Sequence, residues 1–165
     1  MESHVKLFGH PLHQQLIPFP LGLLGTAVLF DLIDAFGGSD ALGQAAHYMI
    51  AAGILSGLVA AIPGAIDWAA IPDGTRAKRV ATLHGAGNLV IVVAFVIAWF
   101  ARRDNAADPS TAILVLEAVA VLGAVVTGWL GGELVDRLAV GVDRGAHLDA
   151  PSSLTGRSAR ELSPR

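Results

Sequence analysis

Four long apolar stretches, set apart by short clusters of Gly, Asp, Pro and Arg, give the chain its pattern: 17–36, 45–71, 83–101 and 111–135. Their polar positions are too few and too irregular to form the polar face of a half-buried soluble helix. Each stretch has about the ~20 residues that a helix needs to cross ~30 Å of hydrocarbon at 1.5 Å per residue. Backbone in lipid must satisfy its own hydrogen bonds, so such segments are helices, and the pattern predicts four of them. The links "GGSDALGQ", "PDGTRAKRVAT" and "RRDNAADPS" are short. Consecutive helices are therefore antiparallel neighbours, and the fold expected over 17–142 is an all-α, up-down-up-down four-helix transmembrane bundle. A His- and Pro-rich lead-in precedes it at 1–16. A polar, aperiodic tail rich in Ser, Pro and Arg follows at 143–165 and is expected to be disordered.

Composition agrees with this placement. Of 165 residues, 53% are hydrophobic and 15% charged, where a soluble domain carries about 25% charged residues. Lys6 is the sole Lys or Arg before the first stretch, and Asp31 and Asp34 interrupt it. Both features mark a retained helix rather than a signal peptide. A net charge of −3, with no basic stripe, excludes nucleic acid as a partner. The absence of cysteine excludes thiolate zinc sites and cysteine-ligated clusters within the chain. Placing both termini in the cytoplasm puts nine Lys and Arg inside (Lys6, Arg76, Lys78, Arg79, Arg137, Arg144, Arg157, Arg160, Arg165) and only Arg102 and Arg103 outside.

Small residues mark close helix approaches. Gly53, Gly57, Ala60 and Gly64 share one face of the second helix, and Val121, Ala124, Gly128 and Gly131 share one of the fourth. Such faces serve packing within the bundle, or against another copy or a partner in an assembly subunit. Pro63 is expected to kink the second helix or free a carbonyl. Trp68, Trp99 and Trp129 fall near helix ends, as interfacial indoles do.

Depth sorts the ionisable groups, each of which needs a reason to be in a bilayer. His10, His13, Asp67, His84, Asn88 and Glu133 fall at the cytoplasmic ends; Asp31, Asp34, His47 and Glu117 fall toward the outside. Pro11, Pro18 and Pro20 make the lead-in irregular, so it can fold under the bundle and bring His10 and His13 to Asp67 and His84. Three imidazoles and a carboxylate suit Zn²⁺ or non-haem iron. One of His10 or His13 together with His84 suits the axial positions of a b-type haem, with Asn88 alongside. The bland alternative makes the histidines interfacial anchors and the prolines marks of where the chain enters the membrane. Asp31 and Asp34 end a helix where carboxylates reach headgroup water, Glu117 points inward, and Glu133 is spaced to pair with Arg137. A proton relay from Glu117 and the outer aspartates to the histidines is a further alternative. No nucleophile–base pair or phosphate-binding glycine loop has the spacing of a soluble enzyme's site.

Taken together, "GHPLH", "PFPLGLL", "IDW", "RVATLHGAGN", "GWLGGELV" and "AVGV" resemble the bacterial membrane proteins called domain of unknown function 2231, over 9–142. The resemblance implies a four-helix domain of the bacterial inner membrane, joined in some proteins to a Rieske-type iron–sulfur domain, with no established activity. The matching positions are His10, Pro11, His13, Asp31, Asp67, His84 and Asn88. One departure is visible: a Tyr and then a His are expected after "GGELV", where this chain has "DRLAVGV" with Asp136 and Leu138. The Rieske association favours a metal- or haem-binding redox accessory domain with a redox protein as partner.

Overall fold

Proline opens the first span and a capping hydroxyl opens two of the others. Pro18 sits in the first turn of its helix, where a missing N–H costs nothing. Ser39 and Thr75 accept from Ala41 N and Lys78 N at the starts of the second and third spans. In the computed structural model, which describes residues 1–161, the elements are β1 (Lys6–Leu7), β2 (His10–Pro11), α1 (Leu12–Leu16), α2 (Pro18–Ala35), α3 (Asp40–Ala70), α4 (Arg76–Ala101) and α5 (Thr111–Asp136). Arg165, counted above with the cytoplasmic arginines, lies outside the described residues. Four helical segments are long and apolar enough to cross a membrane, the first running through α1 and α2.

The helices form the all-α four-helix bundle that the spacing predicts. α2 packs closely on α3 and α4 on α5; α3–α4 and α2–α5 contacts join these two hairpins into a ring. Core side chains come from all four spans: Leu24, Ala27 and Val28, Ala46, Ile50 and Ile54, Ile91 and Phe95, and Ala120. Leu29, Leu55, Ile62, Leu89, Ile97, Leu122 and Val126 are half or more exposed, the outward apolar surface that lipid solvates.

Gly53 lets α3 approach α2 closely, since a Cβ there would lie 2.6 Å from Leu24. Gly57 faces Pro20 and Val92, and Gly64 faces His13. The small-residue face of α3 is thus filled inside the bundle. Pro63 lies within a continuous α3, where it deprives the Val59 carbonyl of its helical donor.

The lead-in folds under the end of the bundle where α5 finishes, with the Met1 ammonium donating to the Ala139 carbonyl at 2.6 Å. Lys6 pairs with Pro11 and Leu7 with His10 in a two-strand turn. Residues 143–161 run through turns and a short 3-10 segment, Ser153–Thr155. Ser153 Oγ donates to the Phe8 carbonyl at 2.9 Å.

Candidate functional site

Two polar clusters interrupt the apolar interior, one toward each end. The first is built on His13 and His84. α1 lays His13 against α3, where its ring rests on Gly64; a Cβ at Gly64 would come within 2.8 Å of Nδ1. His84 rests in the same way on Gly131 of α5, 3.1 Å from a Cβ placed there. The two rings stand edge to face with centroids 6.3 Å apart.

Hydrogen bonding fixes both tautomers. His13 Nδ1 lies 2.7 Å from the Ala60 carbonyl, and His84 Nδ1 lies 2.8 Å from that of Thr127. A carbonyl only accepts, so each Nδ1 carries a proton, and in the neutral ring Nε2 is then the nitrogen with the lone pair. Asn88 Nδ2 donates to His84 Nε2 at 3.2 Å, and Thr127 Oγ1 donates to Asn88 Oδ1 at 2.9 Å. His84, Asn88 and Thr127 therefore close a polar circuit between α4 and α5. Among the described residues nothing bonds His13 Nε2.

His10 and Asp67 lie apart from this pair. His10 is exposed, with Nδ1 3.2 Å from the Phe8 carbonyl and 3.5 Å from Ser153 Oγ. Asp67 accepts from Ser3 Oγ at 2.6 Å and from His4 N at 2.7 Å, tying the lead-in to α3. Among the described residues no three His, Asp or Glu converge as metal ligands. The structure thus brings His13, His84 and Asn88 together and leaves His10 and Asp67 to hold the lead-in.

The second cluster centres on Arg102, just past the end of α4. Its side chain is fully buried. Nη1 and Nη2 donate to the two carboxylate oxygens of Asp31 at 2.6 and 2.7 Å. Nη1 also reaches Glu117 Oε1 at 3.2 Å, and Nη2 reaches the carbonyls of Gly43 at 3.1 Å and Ala106 at 2.7 Å. Nε reaches the same Ala106 carbonyl at 3.2 Å. One guanidinium so binds groups from α2, α3, the 102–110 link and α5. The charge of Arg102 is thereby turned inward from the loop where its position in the sequence places it. Asp31, expected to reach headgroup water, is 1% exposed because Arg102 holds both its oxygens. Glu117 points inward as expected, but its Oε2 has no partner among the described residues. His47 Nδ1 and Trp99 Nε1, on rings stacked 5.3 Å apart, are likewise buried and unpartnered.

Arg102, Thr127 and the Ala60 carbonyl were not marked by the sequence reading. Arg102 was within reach of it: two carboxylates at one depth need a cation, and Arg102 and Arg103 are the only ones there. Glu133 pairs with Arg76 at the start of α4 rather than with Arg137, because antiparallel packing sets the end of α5 beside that first turn. Arg137 instead meets Asp136 at 3.5 Å.

A family model described as "Predicted membrane protein (DUF2231)" matches residues 9–144, and the chain belongs to this family. No curated protein and no solved structure matches.

Proposed function

We propose that this family member is a multi-pass protein of the bacterial inner membrane, with both termini cytoplasmic, that binds haem through His13 and His84 and serves electron transfer as an accessory domain. One observation carries the reading: two imidazoles from different helices, each held through Nδ1–H on a backbone carbonyl, with both Nε2 lone pairs directed away from those anchors. Outer-sphere anchoring of this kind fixes ring orientation in histidine ligands.

Charge favours haem over a bare ion. With Asp67 engaged by Ser3 and His4, the pair offers two neutral ligands and no anion. A bare dication on two neutral ligands in a low-dielectric interior is costly. Haem would bring its own four nitrogens and compensating charge, and His13 and His84 would be the residues that hold it. It would supply one-electron chemistry. His84 Nε2 would exchange the Asn88 hydrogen bond for ligation, and the Thr127 and Ala60 carbonyls would keep both rings oriented. The Rieske association implied by the sequence resemblance supports a redox protein as partner, and the nine-to-two distribution of Lys and Arg supports the orientation.

The test is a visible spectrum and elemental analysis of the mildly solubilised protein. A Soret band with sharp reduced bands is expected, lost in His13→Ala and His84→Ala and retained in His47→Ala. Bound zinc or iron without a Soret band would replace haem by a non-haem centre. Equal loss in all three variants, or a colourless, metal-free protein after expression with added haemin, would overturn the reading.

A further inference from the structure

The Arg102 cluster carries a separate inference, independent of the histidine pair. One guanidinium faces two buried carboxyl groups. Asp31 takes the bidentate bond, whereas Glu117 receives a single contact at Oε1 and leaves Oε2 bare. Two ionised carboxylates would leave this interior with net negative charge and an unbonded anionic oxygen, both costly away from water. One added proton balances the charge.

An acidic cavity adjoins the cluster at Asp31. Asp31 is at once the Arg102 partner and part of the wall of a cavity of about 420 Å³ at this end of the bundle. Asp34, Asp40, Asn105 and Asp108 also line that cavity, so its mouth is acidic and draws cations, protons among them. The charged groups that share the interior with Glu117 are Arg102, which contacts it, and Asp31 from α2, which shares the same guanidinium nitrogen. Asp34 from α2, Asp40 from α3 and Asp108 from the 102–110 link line the adjoining cavity, and His47 from α3 stacks on Trp99 nearby.

We propose that this cluster is a proton-binding site, in which Glu117 carries an exchangeable proton on Oε2 while Asp31 stays ionised against Arg102. The proton comes from water in the acidic mouth and returns to it; only the O–H bond is made and broken. Asp31 is the positioning residue, since its pairing with Arg102 leaves Glu117 as the carboxyl to be neutralised.

Infrared spectroscopy of the purified protein in lipid at neutral pH tests this directly. A carboxylic-acid C=O band is expected that moves in heavy water and moves again when glutamate alone carries ¹³C. Glu117 is the fully buried glutamate among the described residues, so the label assigns the band without a variant. Glu117→Gln should abolish it. Asp31→Asn should abolish it too, because one carboxylate then suffices for Arg102. His47→Gln and Asp108→Asn should leave it in place. A band that ignores the glutamate label, survives Asp31→Asn, or fails to shift in heavy water would overturn the proposal, as would the absence of any acid band.

Discussion

Replacing Arg102 by Lys keeps the charge and should still cost the bundle about 3 kcal/mol, because the guanidinium's shape matters as much as its charge. Its three nitrogens make six contacts to four groups: two to Asp31, one to Glu117, one to the Gly43 carbonyl and two to the Ala106 carbonyl. An ammonium has three N–H donors at a single point. At best it keeps one bond each to Asp31, Glu117 and one carbonyl. One Asp31 oxygen and one carbonyl then lose their donor in a buried site, at ~1–3 kcal/mol each. Arg102→Met also removes the charge and strands two carboxyl groups, which raises the cost to ~3–5 kcal/mol or more. The assay is reversible unfolding in mixed micelles, followed by helical ellipticity and by tryptophan fluorescence. Trp99 reports on this end of the bundle, since its ring stacks on His47. A Lys variant within ~0.5 kcal/mol of wild type would refute the reasoning, since ordinary surface changes stay in that range.

Two further expectations use the same assay. Gly43→Ala should cost ~1–3 kcal/mol, because its Cβ would collide with the Ala107 backbone carbonyl and press to 3.0 Å from Asp34 Oδ2. Gly25→Ala, with nothing within 4 Å, should be neutral or stabilising by up to ~1 kcal/mol through helix propensity; equal effects at the two glycines would contradict the packing described. Arg76→Ala should cost no more than ~1 kcal/mol despite its ion pair with Glu133, because Arg76 is 56% exposed at the rim. A loss as large as that of Arg102→Met would place this pair among the bundle's main supports.

The spans were legible because bilayer thickness imposes a length and lipid imposes an apolar surface, and both are properties of sequence alone. Which side of each helix faces inward was far less so. Leu24 and Leu29 are equally apolar, yet one is core and the other faces outward; only packing separates them. His13 and His84 were recognisable as candidates from residue type and depth. Their anchoring carbonyls, Ala60 and Thr127, carry no residue-type signal, because any residue supplies a carbonyl. Asp67 was drawn toward the histidines by depth, while its actual partners, Ser3 Oγ and His4 N, come from the irregular lead-in whose path no periodicity reveals. Arg102 reads as a loop residue because a charge just past a span ordinarily turns to water. Its burial follows from the placement of Asp31 and Glu117 on two other helices.

The cross-bracing by Arg102 also bears on how the chain is made. Asp31 is synthesised 71 residues before the guanidinium that neutralises it. At ~5–20 residues per second, the first span waits several seconds at the translocon with its carboxylate unmatched. The first helical hairpin therefore leaves the ribosome electrically unfinished and can be sealed only when the third span arrives. Insertion and assembly are coupled at that step, and a nascent chain stopped after its second span would expose its incompleteness to membrane quality control.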